Sequence, residues 1–116
     1  MSNSALPIVA LSCGDPAGIG PELCMKAALS EDIRAICQPL IFGDPEVLKQ
    51  HKELCGIDIQ LDGYKLVSEI NWSTPGVKFI ALELFNNEQF IMGEINGDNG
   101  RAAVECGAAA IQAAVA

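Results

Sequence analysis

The sequence predicts an α/β domain built on a largely parallel sheet with flanking helices. Two observations carry this expectation. Short apolar runs of the kind found in buried strands recur along the chain, and helix-like segments with their own start and stop signals lie between them. Strands that alternate with helices imply crossover connections, and crossovers imply parallel pairing.

The first run, "PIVALSC" from Pro7, reads as a strand buried on both faces. It ends at the glycine-rich stretch "GDPAGIGPE". Pro21 then stands where a first helical residue would, with Glu22 beside it. Proline has no N–H to lose there, and a carboxylate suits the positive end of the helix dipole. Leu23, Ala27 and Ala28 are the expected inward stripe of this helix.

"PLIF", from Pro39, reads as a second buried strand, followed by "GDPEVLKQHKELCG". Asp44 is a capping residue, Pro45 fits the first turn and Gly56 ends the helix. Val47, Leu48, Leu54 and Cys55 are its expected apolar side. "IDIQL" alternates like a strand, and "VKFIALELF" supplies a longer one from Val77. Between them Trp72, Thr74, Pro75 and Gly76 mark an irregular segment. "NGDNGRAAVECGAAAIQAAVA" reads as a glycine-opened helix capped by Asn99 or Asp98, with Val104, Ala108, Ile111 and Val115 on one face. It runs to Ala116 with no stop signal, which reads as a cut in a longer chain.

A length of 116 residues, half of them apolar, suits one packed domain at most. The net charge is −8, without any cluster of Lys or Arg, so a nucleic acid backbone would be repelled. No apolar run approaches the roughly 20 residues of a membrane span. The N-terminus lacks a basic start and a cleavage site, so the expected location is cytoplasmic.

The five cysteines, Cys13, Cys24, Cys37, Cys55 and Cys106, are odd in number and contain no C-x-x-C. Neither a disulfide framework nor a zinc site follows, and most are expected to be small buried hydrophobes. Cys13 abuts the glycine stretch, and packing is the better reading there too, since a reactive thiolate needs an identifiable activating neighbour. His51, within "KQHKE", reads as a solvated surface residue. The pairs Asp58 with Asp62 and Glu31 with Asp32 read the same way. Arg101, next to Gly100 at a helix start, could meet an anion, though an exposed surface arginine is the commoner case.

The glycines at 14, 18 and 20 do not fit G-x-G-x-x-G, and no G-K-[ST] follows them. Two readings stay open. One is a ligand loop, in which backbone N–H groups at a helix start approach an anionic group beyond the carboxyl end of a strand. The other is a tight connection whose glycines merely allow positive φ. Asp15 likewise either touches a ligand or caps a turn.

"GDPAGIGPE" resembles the opening signature of the 4-hydroxythreonine-4-phosphate dehydrogenase family of pyridoxal phosphate biosynthesis. It is also similar to the "GDGIGPE" opening of isocitrate and isopropylmalate dehydrogenases. "IFGDPEVL" and "GDNGRAAVECGAAAIQAAV" resemble two further stretches of the first family. The resemblance implies that residues 1–116 form an incomplete N-terminal segment of a larger enzyme with the isocitrate/isopropylmalate dehydrogenase-like two-domain fold, working as a homodimer. It implies oxidation of 4-phosphohydroxy-L-threonine, a small phosphorylated hydroxy acid, by NAD or NADP, followed by decarboxylation. A divalent metal ion would act as the Lewis acid.

The family's metal-binding histidines lie downstream of everything present here, and His51 matches none of them. No catalytic or metal-binding residue is therefore expected within these 116 residues, and the segment alone is expected to be inactive. Gly14, Asp15, Gly18 and Gly20 are implied to be a cofactor or substrate loop at the cleft between domains. The alternatives are a related dehydrogenase of another phosphorylated four-carbon acid or of a carboxylated ring diol, or a non-catalytic α/β binding module.

Overall fold

The computed structural model describes residues 6–14, 18–82 and 97–115. Four strands, β1 (Ile8–Ser12), β2 (Gln38–Gly43), β3 (Leu61–Tyr64) and β4 (Val77–Ala81), form one sheet in the order β1-β2-β4-β3. All three pairings are parallel, as the alternation of strands and helices predicts. The helices are α1 (Gly20–Leu29), the single-turn α2 (Glu31–Arg34), α3 (Pro45–Cys55) and α4 (Gly97–Val115).

The sheet is covered on both faces, and the period of two along each strand assigns its side chains to one layer or the other. Ile41 of β2 joins Val77 and Phe79 of β4, Met25 and Ala28 of α1, and Leu48 of α3 in the larger core. Leu40 and Phe42 of β2 point the other way, meeting Ile80 and Ala110 of α4 in a second core. Met25, Leu40, Ile41 and Leu48 are essentially sealed from solvent. Each such side chain contributes about 1.5–3 kcal/mol by leaving water.

The punctuation of α3 is as the sequence predicts. The Asp44 carboxylate accepts from the Glu46 and Val47 N–H groups at 2.8 and 3.4 Å, and Gly56 closes the helix in the left-handed region at φ 63°. Its inward face differs. Leu54 and Cys55 are exposed, and His51 is buried at 3 % exposure beside Val47 and Leu48. Positions 47, 48 and 51 share one helical face, which sequence neighbours such as Lys49 and Lys52 conceal.

Other expected faces are corrected as well. The inward residues of α1 are Pro21, Met25 and Ala28, while Leu23 is exposed. Val104, Ala108, Ile111 and Val115 of α4 do share one face, as expected; that face is exposed, and Cys106 and Ala110 face the sheet. Asp98 and Asn99 lie inside the first turn of α4 rather than at a cap. β1 is not buried on both faces: it is outermost among the described strands, and Ile8 and Val9 stay nearly half exposed. β3 begins at Leu61, later than "IDIQL" suggests, although Ile57 and Ile59 do alternate inward ahead of it. The continuation of "VKFIALELF" beyond Leu82 lies outside the described residues.

Residues 65–76 make the crossover from β3 to β4 with a 3-10 turn at Val67–Glu69 in place of an α-helix. A polar knot fixes it. Lys78, 4 % exposed, directs its ammonium group at Asp62 Oδ2 (2.6 Å), the Thr74 carbonyl (2.8 Å) and Thr74 Oγ1 (2.7 Å). Tyr64 donates its hydroxyl to the same Asp62 oxygen at 2.9 Å. Asp62 is thus a structural partner rather than a free surface carboxylate.

Lys78, then Tyr64 and Thr74, hold the Asp62 carboxyl below the usual carboxylate range. A carboxylate depressed on folding contributes stability above its unfolded pKa of about 4, and that stability is lost as pH falls through the lower folded value. Urea midpoints measured from pH 6 down to pH 2 are expected to fall below about pH 4. The fall should be shallower in Asp62→Asn, and an equal fall in that variant would remove Asp62 as the source.

Candidate ligand loop at the carboxyl end of the sheet

The carboxyl ends of β1 and β2 lie side by side. Cys13 N–H donates to the Phe42 carbonyl at 3.3 Å, continuing the ladder one residue past β1. Gly14 follows with φ 67°, and its surroundings are open, with no atom within 4 Å of where a Cβ would stand. Glycine is used there for its left-handed backbone.

Gly20 has a different reason. A Cβ at that position would lie 1.9 Å from the Cys13 carbonyl oxygen, so the first turn of α1 crosses the backbone leaving β1 at a distance only glycine allows. Gly18 is exposed in the bend before the helix, and Asp15 lies outside the described residues. The structure therefore brings Gly14 and Gly20 together around Cys13, beyond the end of β1.

The start of α1 carries no side-chain cap: Ile19 at the cap position makes no such hydrogen bond. Glu22, in the first turn, is engaged elsewhere. Its carboxyl is held below the ordinary value first by the Cys55 thiol and then by Lys26, whose ammonium is 3.7 Å away. The Cys55 thiol is raised in return by the same carboxylate. The start of α1 thus lies at the carboxyl end of a parallel sheet, the usual place for ligands in open α/β folds.

Cys24 is the residue that sequence reasoning missed. It is half buried, its thiol donates to the Ser12 carbonyl oxygen at 3.4 Å, and it packs against the core that holds Cys13. The signal was available only through Gly20. Residues 20 and 24 lie one turn apart on the same face, so a helix whose Gly20 touches Cys13 also turns Cys24 toward it.

A cleft of about 560 Å³ opens at the opposite, amino end of the sheet, bordered by Arg34, Gln38, Trp72, Thr74 and Val77. Lys78 also lines it, but its three protons are directed at Asp62 and Thr74. Its cation belongs to the crossover knot. Arg101 is exposed on α4, as expected. Among the described residues no group of three His, Cys, Asp or Glu side chains could hold a metal ion, and no helix is long and apolar enough to cross a membrane.

No protein-family model matches the chain. It is similar to a Fusobacterium nucleatum protein provisionally named D-threonate 4-phosphate dehydrogenase. The two are 32% identical over 97 residues, which is 84% of this chain and 29% of that protein. A protein of the same provisional name from Clostridium botulinum strain Hall is 29% identical over 99 residues, covering 85% of this chain and 30% of the relative.

Among solved structures, the chain is similar to the 4-hydroxythreonine-4-phosphate dehydrogenase of Klebsiella pneumoniae. The TM-score is 0.82 at 25% identity, over 98% of this chain and 34% of that one. The enzyme of that name from Burkholderia phymatum gives a TM-score of 0.80 at 25% identity, over 92% and 32%. The chain thus spans about a third of the length of the proteins it matches. The resemblance carried by "GDPAGIGPE" holds in sequence and in fold.

Proposed function

We propose that the chain is the N-terminal portion of a two-domain dehydrogenase of the 4-hydroxythreonine-4-phosphate dehydrogenase family, a cytoplasmic homodimer when complete. Its substrate is a phosphorylated four-carbon hydroxy acid, 4-phosphohydroxy-L-threonine in the first instance. The observation that supports this reading is the placement of the glycine connection. It stands at the carboxyl end of a parallel strand, before an uncapped helix start, in a fold that superposes on dehydrogenases of that name.

In this proposal Gly14, Asp15, Gly18 and Gly20 form the loop that meets cofactor or substrate. The N–H groups opening α1 suit an anionic group such as a pyrophosphate or a substrate phosphate, and the absence of a side chain at Gly14 leaves its approach open. The chain's part is to bind and orient. NAD or NADP, when bound, accepts the hydride from the secondary alcohol. The described residues do not fit the divalent metal, so its ligands are assigned to the remainder of the enzyme, and the segment alone is expected to give no turnover.

A second reading, D-threonate 4-phosphate as substrate, is favoured by the names of the relatives at 29% and 32% identity. The two acids share the phosphate and differ at the carbon beside the carboxylate. The test of the loop is an amide NMR titration of the 116-residue chain with NAD+, NADP+ and each acid. Shifts centred on Gly14, Gly18 and Gly20 are expected. Shifts confined to the amino-end cleft, or none at millimolar ligand, would remove the loop from the binding site. Turnover of the complete enzyme on each acid then separates the substrates.

A further inference from the structure

The cleft at the amino end of the sheet is not used by the proposed function, and it opens where the two central strands part. β2 pairs with β1 from Gln38 onward, and β4 pairs with β3 from Val77 onward. The two pair with each other only from Ile41 and Phe79. Pro39, which has no N–H to offer a neighbouring strand, stands in the parting. The end of α1 and α2 border one side of the cleft, and the crossover before β4 borders the other. Its volume of about 560 Å³ is that of a small-ligand pocket.

Two polar groups in its wall are unspent. Gln38 is 9 % exposed and lines the cleft, and its carboxamide has no hydrogen-bond partner among the described residues. A buried amide in that state weighs against the fold, and its position in a cleft gives it a use. Trp72, half buried, lines the same cleft, and its indole N–H has no partner among the described residues either. The charged groups do not favour an anion. Lys78 is engaged by Asp62 and Thr74, and the exposed Arg34 is outnumbered by the exposed Glu31 and Asp58.

We propose that this cleft binds a neutral, planar nitrogen heterocycle of the adenine kind, as the free base or nucleoside. The Gln38 carboxamide sets a donor beside an acceptor, and adenine offers the matching ring nitrogen and amino group on one edge. The Trp72 ring supplies a face on which a base stacks, and Leu29 and Val77 add apolar wall. Recognition is of the base alone, so a phosphate adds no affinity and meets the acidic groups around the opening. The site lies at the other end of the sheet from the glycine connection and does not depend on the dehydrogenase reading.

Trp72 is the one tryptophan of the chain, so its fluorescence reads the cleft directly. The experiment is titration of the 116-residue chain with adenosine, inosine and AMP, followed by indole emission. Saturable quenching by adenosine is expected. Inosine, with a carbonyl in place of the amino group, should bind about tenfold more weakly or worse, and AMP no more tightly than adenosine. Gln38→Leu should weaken adenosine by about tenfold or more, with Tm unchanged or raised because the unpaired amide is gone. If that variant does not fold, an NMR titration of the parent chain with adenosine still decides. Shifts are expected at the Gln38 side-chain amide and the Trp72 indole N–H, and shifts centred on Gly14, Gly18 and Gly20 instead would count against the cleft. No saturable quenching, equal binding of inosine, tighter binding of AMP, or undiminished binding by a folded Gln38→Leu would each overturn the proposal. Adenosine carries neither phosphate nor nicotinamide, so failure here leaves the loop's anion-binding role standing.

Discussion

Replacing Gly20 with alanine is expected to destabilise the chain by about 3 kcal/mol or more, because the new methyl group meets main chain rather than a movable side chain. In a domain of this size that lowers Tm by more than about 10 °C. The clash partner is the carbonyl of Cys13, which is itself held by the ladder bond from its own N–H to Phe42. Neither α1 nor the end of β1 yields without disturbing Met25 and Ile41 beneath them.

Gly14→Ala is the informative comparison. No neighbour lies within reach there, so only the left-handed backbone is penalised, at about 1–2 kcal/mol. Thermal melts of the two variants should therefore rank Gly20→Ala well below Gly14→Ala. Equal melting temperatures would mean that α1 can shift off the strand end, and that the close crossing is not a fixed feature.

The second large effect is expected at the crossover knot. Asp62→Ala leaves the Lys78 ammonium buried with only Thr74 to receive it. Loss of one partner of a buried pair costs about 3–5 kcal/mol, discounted here to about 2 kcal/mol because Asp62 keeps some contact with solvent. Lys78→Met should be milder, at about 1 kcal/mol, since the orphaned carboxylate can turn to water while the thioether fills the lysine's space. Urea unfolding of both variants checks the order. A Lys78→Met variant less stable than Asp62→Ala would mean that the lysine's contribution is packing rather than charge.

Much of this architecture was legible because local chemistry and global structure agree. Asp44, Pro45 and Gly56 each perform at α3 the role their side chains favour in isolation. "PLIF" and "VKF" are strands because β-branched and aromatic residues suit a pleated surface covered on both sides. Helix faces were harder to read. In α4 eleven of the nineteen residues are Ala, Val, Ile or Cys, so periodicity alone could not choose a side, and the small residues took the inner one.

His51 and Asp62 were misread for a related reason. Their sequence neighbours are polar, but their spatial neighbours come from an adjacent turn or from the next strand. At the loop, three glycines left both close backbone approach and positive φ open. Which glycine serves a contact and which serves a dihedral angle depended on where α1 crosses β1, and so did the turn of Cys24 toward Ser12.

The inner face of α4 has a consequence for how the molecule opens. A helix held to the sheet by Cys106 and Ala110, with its longer aliphatic side chains turned outward, buries little carbon per turn. The strands and α3 are tied by Leu40, Ile41, Phe42 and Leu48, and they exchange water for protein far more completely. Protection of amide hydrogens follows such differences, because local opening needs only the free energy of the contacts it breaks. The α4 backbone therefore belongs to a less protected cooperative unit than the sheet it covers, and Cys106 becomes reachable whenever that unit lifts.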